Sequence, residues 1–215
     1  MGLHIPTARL QMGGFAVATV GWIFCMTSMG LAEWRVWYVR RSPPLPPGLV
    51  CVGMWKVCIY QPSSYSQKDI ACHLYRYADP SLPVDIRVAQ SLLLAASVLG
   101  LLGKAFLVLA LRRVCVGSLR KESTRRLFLA AGVQLVSASA CISVAVVCNA
   151  SAVGKAAGVA FPPSFALPFQ PETQEVGGAS IVATLAVSLM LLSGLLSLSY
   201  TLPPESQVHP VISEV

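Results

Sequence analysis

The chain has 215 residues, 55% of them hydrophobic and only 12% charged, with a mean hydropathy of +0.67. A soluble domain carries about a quarter charged residues, so this composition excludes an ordinary soluble fold and points to a surface facing lipid, where ionised groups are costly. The net charge of +7 does not mark a nucleic-acid partner, because the densest basic run lies between two apolar stretches with no nucleic-acid-binding motif beside it.

Four stretches are long enough to cross a hydrocarbon layer of roughly 30 Å, which takes about 20 helical residues. An inner tail, 1–12, leads into the first span, 13–32, which holds no charge. A cleavable signal peptide is the rival reading, since Arg9 precedes the run and Gly30-Leu31-Ala32 suits a cleavage site. Signal peptides have a shorter apolar core of about 7–15 residues, so retention as a helix is expected. The outer loop 33–87 follows. Its tract Ser42-Pro43-Pro44-Leu45-Pro46-Pro47-Gly48 blocks helix and leaves no donors for a sheet ladder. Beyond it, 49–60 mixes Val, Cys, Trp, Ile and Tyr and reads as a strand region.

The second span, 88–111, is apolar apart from Gln90, a few serines and Lys104. Lys104 lies about two turns from the inner end, so its ammonium is expected to snorkel toward the head groups. The segment 112–126 carries six basic residues against the single acid Glu122. Short loops with that excess stay in the cytoplasm, which puts both termini inside and 33–87 and 149–178 outside. The third span, 127–148, and the fourth, 179–200, are uncharged, and 201–215 is an inner tail. The sequon Asn149-Ala150-Ser151 abuts the third span too closely for glycosylation to be expected.

Seven cysteines occur, and three of them, Cys51, Cys58 and Cys72, lie in the outer loop, where oxidising conditions permit a disulfide. Spacing alone leaves the pairing open. Cys25, Cys141 and Cys148 sit in or at the ends of spans and read as packing residues. Cys115, at the inner membrane edge, is placed for palmitoylation.

Glu33-Trp34-Arg35-Val36, then Gly53-Met54-Trp55 with Cys58 three positions on, and a second cysteine at Cys72, resemble the claudin signature. The topology of four spans, a long first outer loop and a shorter second one is similar too. The resemblance implies a mainly α membrane fold: a left-handed four-helix transmembrane bundle carrying a small extracellular antiparallel β-sheet. It implies a Cys58–Cys72 disulfide, with Trp34 and Trp55 seating the sheet on the membrane surface. The chain departs from the family in Met54 for the usual Leu, in Cys51 as an additional thiol, in a longer gap before Cys72, and in Gln90 where most members carry Arg. The second outer loop follows the family loosely, best at Glu175-Val176-Gly177.

The resemblance also implies a role at the plasma membrane, in the tight junction. Such proteins pair with themselves or other claudins, side by side in one membrane and head to head between cells. They provide calcium-independent adhesion and a paracellular barrier or selective ion path. Side chains near the second loop cysteine tune the ions that pass, which makes Lys56, Lys68 and His73 candidate pore charges with an anion preference. The ending Ser213-Glu214-Val215 suits a PDZ groove, with Val215 as the buried terminal residue and Ser213 two before it. A four-span relative acting as a channel gamma subunit, or a myelin-type protein, shares the G-x-W and cysteine pattern and is the alternative. An enzyme is not expected. His4, His73 and His209 are scattered over the inner tails and the outer loop, no span holds a carboxylate, and no cofactor motif is present.

Overall fold

The computed structural model describes residues 4–39, 48–61, 69–116, 121–161, 165 and 167–200. Four long helices carry the chain: α1 (His4–Gly30), α2 (Val84–Val116), α3 (Lys121–Gly154) and α4 (Gly178–Leu198). All four are long and apolar enough to cross a membrane. Between them run β1 (Arg35–Val39), β2 (Gly48–Val52), β3 (Lys56–Gln61), β4 (Asp69–Leu74) and β5 (Thr173–Val176).

α2 and α3 outrun their apolar stretches at both ends and α1 does so at its start, while α4 nearly coincides with its stretch. Their ends are set by backbone chemistry rather than by hydropathy. Pro83 stands just before α2, where a missing N–H costs nothing. α3 ends at Gly154, and Ala156 just beyond adopts a left-handed conformation (φ 49°).

Packing follows one period in every helix. Buried positions in α1 are Gln11, Gly14, Ala18, Gly21, Cys25 and Ser28; in α3 the buried row includes Phe128, Ala131, Leu135, Ala138, Ile142 and Ala145, with Gly132 and Ser139 beside it. Steps of three and four alternate, a 3.5-residue repeat. Straight helices drift off such a seam, so the helices must wind left-handedly to keep it inward. α1 packs on α2 and α4, and α3 completes the ring by packing on the same two.

Small residues set how closely the helices approach. A Cβ on Gly132 would lie 2.9 Å from the Gly194 carbonyl oxygen, and one on Gly194 would lie 2.8 Å from Val136 Cγ2. The α3–α4 crossing therefore requires glycine at both positions. Polar groups join helices where lipid offers no partner: the Ser193 hydroxyl donates to the Gly14 carbonyl (2.7 Å), and Gln11 Nε2 to the Leu196 carbonyl (2.9 Å).

Lys104 does not follow the snorkelling expectation. Its ammonium lies 3.6 Å from the centroid of the Trp22 ring on α1, while the Trp22 indole N–H donates to the Ser97 carbonyl of α2 (2.9 Å). The indole is pinned flat against α2 and offers its π face to the cation, a nearer source of negative potential than the head groups.

The five strands form one antiparallel sheet of order β4-β3-β2-β1-β5 at one end of the bundle. The region 49–60 is thus a hairpin of two strands rather than one. The proline tract lies almost wholly outside the described residues.

Candidate functional site: the sheet and its anchorage

Alternation along the strands gives the sheet two distinct faces. Trp37 and Val39 of β1, Val50 and Val52 of β2, and Val57 and Ile59 of β3 point the same way and are buried in one cluster with the inner residues of the helices. The opposite face carries Val36, Leu49, Cys51, Cys58 and Tyr60.

The sheet is bolted to the bundle at Trp34 and Arg35. Trp34 is fully buried, and its indole N–H donates to the Ser28 carbonyl (2.8 Å). It therefore seats the sheet on the helices, not on lipid as the resemblance implies. The Trp34 carbonyl accepts from the Gly177 backbone N–H (3.0 Å) and from Asn149 Nδ2 (3.1 Å). Arg35, 1% exposed, donates through Nε to Asn149 Oδ1 (2.9 Å) and through Nη2 to the Asp85 carboxylate. Asn149 also donates to Ser180 Oγ (3.0 Å). One knot thus ties β1 to α2, α3 and α4. The Asn149 side chain is buried and engaged through both its oxygen and its nitrogen.

A second bolt lies at Gly53-Met54-Trp55, the turn between β2 and β3. A Cβ on Gly53 would meet the Leu31 carbonyl oxygen at 2.7 Å and Ala32 Cα at 2.8 Å, so only glycine lets the turn rest on the end of α1. Met54 is buried, and its carbonyl accepts from Gln90 Nε2 (2.7 Å). Gln90 Oε1 in turn accepts from the Ala78 N–H (3.1 Å). Gln90 therefore meets one acceptor and one donor, which a guanidinium has no means to do. Trp55 stacks on Tyr77 with centroids 6.2 Å apart.

Cys58 and Cys72 form the disulfide, joining directly opposed residues of β3 and β4. Two of the candidate pore charges, Lys56 and His73, do not converge. Lys56 pairs in register with Leu74, and His73 with Val57, so the two side chains leave opposite faces of the sheet. The His73 ring lies beside Tyr75 and Phe165 (6.0 and 6.1 Å). Lys68, Ser213 and Val215 lie outside the described residues. Cys115 is exposed, Cys25 buried, and Cys141 and Cys148 half-buried.

A cleft of about 410 Å³ opens beside the Arg35 knot between Val84, Val147, Ser151, Ala152 and Lys155. Its one carboxylate, Asp85, is already held by Arg35. Among the described residues no group of three His, Cys, Asp or Glu side chains comes together to hold a metal ion.

The sheet's free margins are apolar where water is expected. Ile70 and Leu74 on β4 are 55% and 73% exposed, Val176 on β5 is 45% exposed, and Tyr77 and Phe169 are also exposed. A family model described as PMP-22/EMP/MP20/Claudin tight junction matches residues 19–199, which takes in the second half of α1, the whole sheet and the other three helices.

The chain belongs to this claudin family. Among its relatives, Claudin-3 of Mus musculus is 26% identical over 204 residues, 94% of this chain and 86% of the relative. Claudin-4 of Bos taurus is 26% identical over 200 residues, 92% and 88% of the two chains. Claudin-9 of Homo sapiens is 28% identical over 150 residues, 69% and 66%. The family is one of structural junction proteins, and this claudin-family chain is a multi-pass membrane protein with the Cys58–Cys72 clamp on its sheet. Sequence reasoning missed Asp85 and Asn149, since nothing local marks a carboxylate and an amide as partners for Arg35. The one available signal was Arg35 itself, a guanidinium inside an apolar context that demands an acid.

Proposed function

We propose that this protein is a tight-junction structural protein whose sheet provides calcium-independent adhesion and sets paracellular permeability. The observation that carries the reading is the sheet's two free margins. Among the described residues, β4 and β5 each leave one side of the backbone ladder unpaired and hold exposed apolar side chains around it. Soluble surfaces avoid such edges unless a partner covers them. Apolar contact and strand pairing need no metal, which favours adhesion without calcium.

Partners on this reading are other copies or other claudins, within one membrane and across two. With Lys56 and His73 on opposite faces, a sealing role stands ahead of a charge-lined path; Lys56, Lys68 and His73 would supply the anion preference of any such path. The tail residues Ser213 and Val215 would reach a PDZ scaffold, Cys115 would take an acyl chain, and lipid surrounds the bundle.

Transepithelial resistance and NaCl dilution potentials in a monolayer expressing the protein, with and without calcium chelation, test this. Raised resistance that Ile70→Arg and Leu74→Arg abolish without loss of surface expression supports the reading. Unchanged resistance and selectivity in a surface-positive monolayer would overturn it and favour a channel-subunit role.

A further inference from the structure

The three outer-loop cysteines stand in one row. Cys51 of β2 pairs in register with Cys58 of β3, and Cys58 with Cys72 of β4. Directly opposed residues in an antiparallel sheet point to the same face, so the three sulfurs share one side and follow one another across the strands. Only two of them are bonded, and Cys51 is a buried thiol.

The ladder explains which two. Antiparallel pairs alternate between narrow positions, near 4.5 Å between Cα atoms, and wide hydrogen-bonded ones, near 5.5 Å. Cys58 and Cys72 are 4.1 Å apart, a narrow pair. The backbone N–H and C=O of Cys58 therefore turn toward β2, which makes Cys51 and Cys58 a wide pair. Disulfides span Cα separations of about 4.4–6.8 Å, so the wide pair is also bridgeable.

We propose that Cys51 is a resident exchange nucleophile that shifts the disulfide from Cys58–Cys72 to Cys51–Cys58 and releases Cys72 as a reactive thiol. The Cys51 thiol first loses its proton to solvent base. Its sulfur then attacks Cys58 Sγ from the side opposite Cys72, along the line of the row, as in-line displacement requires. The Cys51–Cys58 bond forms as the Cys58–Cys72 bond breaks; Cys72 leaves with the electron pair and takes a proton from water. One disulfide and one thiol are present before and after, so no oxidant or reductant is consumed. The consequence is positional. Cys51 and Cys58 are 2% and 3% exposed, whereas Cys72 lies exposed on the free edge strand. Exchange moves the thiol from a covered site to the sheet margin and unfastens β4.

The surroundings hold the device latent at neutral pH. Burial, and secondarily the Glu33 carboxylate, push the Cys51 thiol up to about 11. Among the described residues, Glu33 and Tyr60 are the titratable groups coupled to it, and the Tyr60 hydroxyl is itself shifted upward by burial, then by Cys51 and Glu33. Below that range the thiolate fraction rises about tenfold per pH unit, and the exchange rate rises with it.

The test uses the purified full chain in lipid nanodiscs, incubated between about pH 7.5 and pH 9.5 with saturating alkylating reagent. Non-reducing digestion and mass spectrometry then read which cysteines are linked and which are alkylated. The proposal predicts alkylated Cys72 and a Cys51–Cys58 linked peptide appearing in step, about a hundredfold faster at the upper pH. Cys51→Ser and Cys51→Ala should abolish both while keeping the Cys58–Cys72 peptide, which also reports that their sheets have formed. Cys72 alkylated equally in the variants, or no Cys51–Cys58 peptide from the wild-type chain at any pH, would overturn it. The readout involves no cell contact, so its failure leaves the junctional reading standing, and the reverse.

Discussion

Arg35 at the start of β1 and Asp85 at the start of α2, 50 residues apart in sequence, form an ion pair that is 1% exposed on the arginine side and 23% on the aspartate side. This contact, with Asn149 accepting from Nε of the same guanidinium, decides how the sheet sits on the helices. A pair so placed is worth little against an apolar substitute but is costly to break from one side, because the survivor is left buried and charged.

Asp85→Ala is therefore expected to destabilise by about 3–5 kcal/mol, as an uncompensated Arg35 charge would require. Arg35→Met combined with Asp85→Leu should recover a large part of that loss. Thermal unfolding in detergent, scored as a double-mutant cycle, measures the coupling. Additive single effects would mean that the pair is not a unit.

Gln90 is expected to tolerate neither an apolar nor an acidic replacement. Gln90→Leu abandons the Met54 carbonyl and the Ala78 N–H, each worth about 1–3 kcal/mol when buried unmet. Gln90→Glu keeps the acceptor for Ala78 and loses the donor to Met54, so it should be damaging for a different reason. Surface expression relative to total protein, together with melting temperature, ranks them: wild type above both.

The helix crossing makes a sharper contrast. Gly194→Val is expected to disrupt the bundle, because its side chain meets Val136 and the Gly132 backbone from 2.8 Å outward. Gly13→Ala meets nothing within 4 Å and should be silent to within about 0.5 kcal/mol. Equal behaviour of the two variants in a detergent melt would contradict the close approach of α3 and α4.

Lys104 and Trp22 give a prediction whose sign depends on magnitude. A lysine in mid-span costs about 2.5–3.5 kcal/mol, and a desolvated cation–π contact returns about 2. Lys104→Leu should then be neutral or mildly stabilising in a nanodisc melt. Trp22→Leu, which leaves the cation and removes the ring, should destabilise by about 2 kcal/mol or more.

Much of this architecture is readable from local pattern. The four spans follow from apolar length, whereas their inward seams emerge only with the packing of the helices. The Trp34, Gly53-Met54-Trp55, Cys58 and Cys72 constellation carries the family and with it the disulfide. Spacing alone does not choose Cys58–Cys72 over Cys51–Cys72, because the choice is made by ladder register, a property of three strands at once. The pairing of β1 with β5 joins segments from both outer loops, and no local pattern reports it. Lys104 is misread for the same reason: its ring partner sits on another helix. Trp34 is misread because indole suits the membrane interface and a packed core equally well, and only the Ser28 contact separates the two.

The central claim is adhesion through the sheet, and one measurement reaches it most directly. Cells without junctional strands would express a cytoplasmically tagged chain and be mixed with untagged, non-expressing neighbours. Enrichment at borders between two expressing cells, persisting when calcium is chelated and lost with Ile70→Arg and Leu74→Arg, is the predicted result. Equal intensity at borders with non-expressing neighbours, with the protein present at the surface, would contradict it.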